Sequence, residues 1–221
     1  MLRSEFHADL QKLQDDLLNL GSMVEKATTK AIDALKTRDL SLSRQVIEED
    51  DVIDDIRYEI EARCEDLIAK QQPLATDLRL IIAIMHIVGE LERIGDYAEG
   101  VAKISLAMGD EAPLKPLIDI PRMAQKASLM TRQSLDALVQ RDVDLAITVA
   151  ESDDEVDALY DQIFRELVTF MIEDPRTIQR ATYLLWVAHD LERIADRATN
   201  IAERVVYLVT GELSKLKEIF P

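Results

Sequence analysis

Apolar residues recur at steps of three and four from near the start of the chain. Leu10, Leu13, Leu17, Leu20, Val24, Ala27, Ala31 and Leu35 trace one stripe, the pattern of an amphipathic helix. It predicts a first helix over about residues 4–36. Asp39 is placed to cap a second, in which Leu42, Val46, Ile53, Ile56, Ile60 and Leu67 carry the stripe to about residue 71. Pro73 ends that helix. Thr76 is expected to cap a third, running to about residue 108 with Gly109 as its stop.

The pattern then restarts. A fourth helix is predicted over about 118–140 and a fifth, capped by Asp142, over about 143–173. Asp174-Pro175 closes the fifth and opens the sixth, with Pro in the first turn, and Gly211 stops the sixth near residue 210. Residues 111–116 form the one obvious linker. The expected domains are therefore 1–110 and 117–221, each a three-helix bundle.

The two halves repeat one another. Positions 38–54 against 141–157 are identical at eight of seventeen, at an offset of 103. Positions 91–104 against 191–204 are identical at seven of fourteen, at an offset of 100. That period exceeds the ~20–50 residues of solenoid repeats and suits a duplicated bundle. The fold class is all-α: two tandem three-helix bundles related by a pseudo-two-fold axis.

Composition agrees. Apolar residues make up 48% of the chain and aromatics only 5%, a mix poor in strand formers. The formal net charge of −17 repels phosphate backbones and anionic lipid, which argues against direct nucleic-acid binding and for a basic partner or a cation. The single cysteine, Cys64, precludes an internal disulfide and reads as a buried apolar residue. No apolar run approaches the ~20 residues needed to span a bilayer, and the N-terminus lacks a signal-peptide core, so a cytoplasmic location is expected.

The repeat preserves acids. Asp50 and Asp54 on the second helix match Asp153 and Asp157 on the fifth. Glu92 and Asp96 on the third match Glu192 and Asp196 on the sixth. Each pair is spaced by four residues, hence on one helix face, where like charges repel by a few tenths of a kcal/mol. Gly95, Ala98 and Ala102, and Ala188, Ala195, Ala198 and Ala202, flank these acids and let a neighbouring helix come close. If the second and third helices of a unit run antiparallel, two acid pairs face each other. Oxygen-only donors then suit a hard cation such as Mg, Ca, Mn or Fe. The plainer alternative is that these carboxylates pair with Arg57, Arg63, Arg93 or Arg193, or face water. Trp186 is expected in the core, and His7, His86 and His189 read as ordinary core or surface residues. The chain has no phosphate loop, Gly-x-Ser-x-Gly elbow or His-Glu-x-x-His motif, so it is not expected to be an enzyme.

Several stretches resemble the PhoU family of bacterial phosphate-signalling proteins. They are EEDDVIDDIRYEIE, QQPLATDLRLI and ELERIGDYAEGVAK in the first half, and ESDDEVDALYDQI, IEDPRTIQRA and HDLERIADRATNIAERVVYL in the second. The resemblance covers essentially the whole chain. It implies two three-helix bundles, a homodimer, and a cytoplasmic adaptor between the ATPase subunit of a phosphate ABC transporter and a phosphate-sensing histidine kinase. Such an adaptor keeps the starvation response off when phosphate is plentiful and touches the membrane only through its partners. The resemblance also implies metal ions, iron foremost with Mg, Ca, Mn or Zn as alternatives, on the eight acids named above. Glu203 stands where the first half has Lys103, and Asn200 where it has Gly100, so the two halves are expected to differ in occupancy. The competing readings are a metal-dependent enzyme built on multinuclear carboxylate clusters and a purely structural scaffold.

Overall fold

The structure, a computed structural model, describes residues 2–212, with side chains from residue 5 onward. The outermost bounds of the expected domains, residue 1 and residues 213–221, lie outside the described residues. Six long α-helices account for nearly all of it: α1 Leu2–Thr37, α2 Leu40–Gln71, α3 Ala75–Met108, α4 Asp119–Gln140, α5 Val143–Glu173 and α6 Ile178–Thr210.

Local chemistry explains most of the ends. The Asp39 carboxylate accepts from the Ser41 and Leu42 amides, and that of Asp142 accepts from the Leu145 amide. Gly211, at φ 80°, closes α6 in the left-handed region that glycine adopts without strain. Two ends differ from expectation. Thr76 does not cap α3; the helix begins at Ala75 with Leu74 before it and no side-chain cap bond. Left-handed Gln72, Pro73 and left-handed Ala75 turn the chain into the helix, so this turn and not a side-chain cap sets its start. Between α5 and α6, Pro175–Thr177 form one 3-10 turn, with Thr177 Oγ1 donating to the Phe170 and Asp174 carbonyls.

Helices α1–α3 make one unit and α4–α6 a second. Within the first, neighbours run antiparallel: Lys30 reaches Glu49 and Asp16 reaches Arg63 across α1/α2, and Ser43 meets Ser105 across α2/α3. The units join through α3 against α6 and α1 against α4. Both crossings are antiparallel and repeat about a pseudo-two-fold axis. Glu90 meets Asn200 where Asp190 meets Gly100, and Gly21 meets Leu135 where Ile32 faces Ala124. The buried side chains form one continuous cluster across both units, including Leu13, Leu17, Ile84, Leu91, Met123, Leu184 and Leu191. Full burial of each such large side chain contributes about 1.5–3 kcal/mol. Cys64 is completely buried where the second unit has Leu167, and burial pushes its thiol up to about 12.

Trp186 departs from the sequence expectation. It is 52% exposed, edge-on to Tyr183, because α6 spends Leu184, Val187, Ala188 and Leu191 on the core and position 186 falls on the opposite face.

Candidate metal centre

The small residues of α3 set the site. Gly95 lies directly beneath α2: a Cβ added there would come to 3.0 Å from Asp50 Oδ1 and 3.2 Å from Ile53 Cγ2. That close approach carries Asp54 over α3 toward Glu92 and Asp96. Asp54, Glu92 and Asp96 each offer a carboxylate oxygen, and these oxygens lie within 4.8 Å of one another. Asp54 Oδ1 is buried and has no hydrogen-bond partner.

The electrostatics follow from the crowding. Burial, then the charges of Asp96 and Asp54, raise the Glu92 carboxyl, with Arg57 opposing. Burial, then Asp54 and Glu99, raise Asp96. Asp50 goes furthest, up to about 7, through burial and then Glu99, Asp96 and Asp54. Against these stand Arg57, whose Nη1 donates to Glu92 Oε1 at 3.0 Å, and Lys103, paired with Glu99. Glu99 and Lys103 belong to the site's charge balance, yet sequence reasoning passed over Glu99. Its signal was its position three residues beyond Asp96 on the same face.

The donor set fits a hard cation. Three carboxylates converge, Asp54 carries an orphaned buried acceptor, and the ionised forms of Glu92 and Asp96 are disfavoured as the protein stands. Asp50 lies beside this group rather than in it.

The second unit places the equivalent acids differently. Asp153 is buried, at 3% exposure, while Asp157 is exposed. Arg193 Nη1 donates to Asp196 Oδ2 at 2.9 Å, and His189 Nδ1 lies 3.2 Å from Glu192 Oε2. Among the described residues, these four acids do not form a group comparable to that of the first unit. His189 therefore acts on the acids of its own helix, a role its position three residues before Glu192 signalled.

A further pair of acids sits at the seam between the units. Glu90 accepts from Arg197 Nη1 at 3.2 Å and from Asn200 Nδ2 at 3.0 Å. Its equivalent, Asp190, faces Gly100 instead, and burial raises it to about 6. No helix of the described residues is long and apolar enough to cross a membrane.

Comparison with known proteins accounts for both the repeat and the fold. The PhoU domain family model matches the chain twice, over residues 17–105 and 120–205. A PhoU homolog of Clostridium acetobutylicum, described as a phosphate-specific transport system accessory protein, is 41% identical, covering 99% of this chain and 100% of that protein. A Pseudomonas aeruginosa homolog with the same description is also 41% identical, over 98% of this chain and 93% of its own length. The crystal structure of PhoU from Pseudomonas aeruginosa superposes with a TM-score of 0.89, covering 94% of this chain and all of that one. The phosphate transport system regulatory protein PhoU from Streptococcus pneumoniae gives 0.88 at 32% identity, covering 95% and 99%. A match in both halves, full-length relatives and the same six-helix architecture together mean that the chain belongs to the PhoU family.

Proposed function

We infer that this protein is a cytoplasmic, non-enzymatic regulator of phosphate uptake and of the phosphate-starvation response. It acts as a homodimeric adaptor between the ATPase subunit of a phosphate ABC transporter and a phosphate-sensing histidine kinase, and keeps the response off when phosphate is plentiful. The observation that carries this reading is the end-to-end match to proteins described as accessory or regulatory in phosphate transport. The strongly acidic surface supports a protein partner over nucleic acid or anionic lipid.

In the same reading Asp54, Glu92 and Asp96 hold a hard cation, iron or a divalent ion, with Asp50 at its edge. A bound cation supplies the positive charge that three converging carboxylates lack. Asp54 ties α2 to the α3 acids, and Arg57 holds Glu92 in place from one side. In the second unit Arg193 occupies Asp196, so a cation there requires that ion pair to open first.

Deleting the gene is expected to switch on phosphate-responsive transcription in phosphate-replete cells, and unchanged expression would overturn the adaptor reading. Chelator-sensitive phosphatase turnover by the purified protein would favour the enzymatic alternative instead.

A further inference from the structure

The grooves between the first two helices of each unit are built alike and finished differently. In the second unit Lys126 of α4 bridges to Glu155 of α5 across the groove. The equivalent positions in the first unit are Met23 of α1 and Val52 of α2, neither of which can form a bridge. A cavity of about 300 Å³ remains there, walled by Met23, Val52 and Ile53. That volume is at the lower end of the ~300–1,000 Å³ of small-molecule sites. Val52 is 48% exposed at its mouth.

Lys26 and Lys30 of α1 and Glu49 of α2 line the rim, which leaves it net positive in an otherwise acidic protein. Lys30 Nζ is held by Glu49 Oε2 at 2.7 Å, while Lys26, exposed, has no acidic partner among the described residues. Equivalent positions on α4 are Leu129 and Gln133, so the second unit lacks both charges. Apolar walls with a free ammonium at the edge recognise a molecule with an apolar body and an anionic head. The overall charge of −17 disfavours an anionic bilayer as the source of that head, and favours a soluble ligand.

We propose that the α1/α2 groove of the first unit is a binding site for a small soluble amphipathic anion, a medium-chain acyl carboxylate in its simplest form, with Met23, Val52 and Ile53 taking the chain and Lys26 the carboxylate. The site is separate from the acidic cluster on α2 and α3, although Ile53, which walls it, also packs over Gly95 of α3.

Calorimetric titration with octanoate tests this, with octanol as the uncharged control. One saturable site is expected, and octanol should bind about tenfold more weakly. Met23→Lys with Val52→Glu copies the bridge of the second unit and should weaken octanoate by at least about tenfold. Should that double variant unfold, Lys26→Glu, a surface change, should still weaken octanoate while leaving octanol unaffected. Unchanged octanoate binding in the folded double variant would overturn the location. Equal binding of octanol and octanoate, or indifference to Lys26→Glu, would overturn the role of the charge. Absence of any saturable octanoate binding would overturn the proposal.

Discussion

The first unit leaves Asp54, Glu92 and Asp96 facing one another, with Arg57 of α2 bonded to Glu92 and Lys103 of α3 acting on Asp96. The second has the same acids, but Tyr160 replaces that arginine and His189 replaces Gly89. There Arg193 turns back on Asp196, and His189 lies against Glu192. The duplication kept the carboxylates and changed what neutralises them. At the seam the same divergence appears: Glu90 is clamped by Arg197 and Asn200, whereas Asp190 meets a bare glycine. Acid positions alone therefore do not define a cation site; the basic residues within reach decide whether the carboxylates remain open to one.

The seam offers the largest effect with which to break this comparison. Glu90→Ala strands Arg197, which is 16% exposed and whose Nε already lacks a partner, so it should cost about 2 kcal/mol in denaturant unfolding. Asp190→Ala removes a carboxylate that burial disfavours, so near neutral pH it should cost much less or stabilise. Equal losses from the two would show that the seam is symmetric after all.

A somewhat smaller effect is expected at the α1/α4 crossing. A Cβ at Gly21 would run into Leu135 Cδ1, while Ala124, its equivalent, borders a small cavity beside Ile32. Gly21→Ala should therefore destabilise by about 1–2 kcal/mol, overpacking outweighing the gain in helix propensity. A stabilised Gly21→Ala would mean that Leu135 repacks freely.

A pH dependence separates the two units as well. Asp190 is raised to about 6 and Asp50 to about 7 when folded, against about 4 in an unfolded chain. Between those values the native state binds more protons than the unfolded state, so each group's contribution to stability falls as pH rises through its folded value. In chelator-treated protein, Asp190→Asn should gain in melting temperature over the parent as pH rises from about 4 to about 6. Asp50→Asn should go on gaining until about 7. Parallel melting curves for parent and variants would remove these two acids from the comparison.

Much of this was readable along the chain. The three-and-four spacing located six helices, and Asp39, Asp142, Gly109 and Gly211 act at the ends where their chemistry put them. Small residues beside the acids pointed to a close crossing, and Gly95 under Asp50 provides it. The failures were non-local. Trp186 lies in an apolar run, but which face of α6 meets the core depends on α3, α4 and α5 together. Glu90 and Arg197 are far apart in sequence, and no local pattern pairs them. A difference between the two acid clusters was expected from Glu203 against Lys103 and Asn200 against Gly100, but which base each acid takes was not readable, because Arg57 and Glu92 sit on different helices.

The central claim is that the first unit, not the second, presents an open carboxylate site. Calorimetric titration of chelator-treated protein with Mn2+ tests it through two triple variants. Asp54→Asn with Glu92→Gln and Asp96→Asn should abolish the tightest binding event, while Asp157→Asn with Glu192→Gln and Asp196→Asn should leave it intact. Retention of that event in the first variant, or its loss only in the second, would contradict the account.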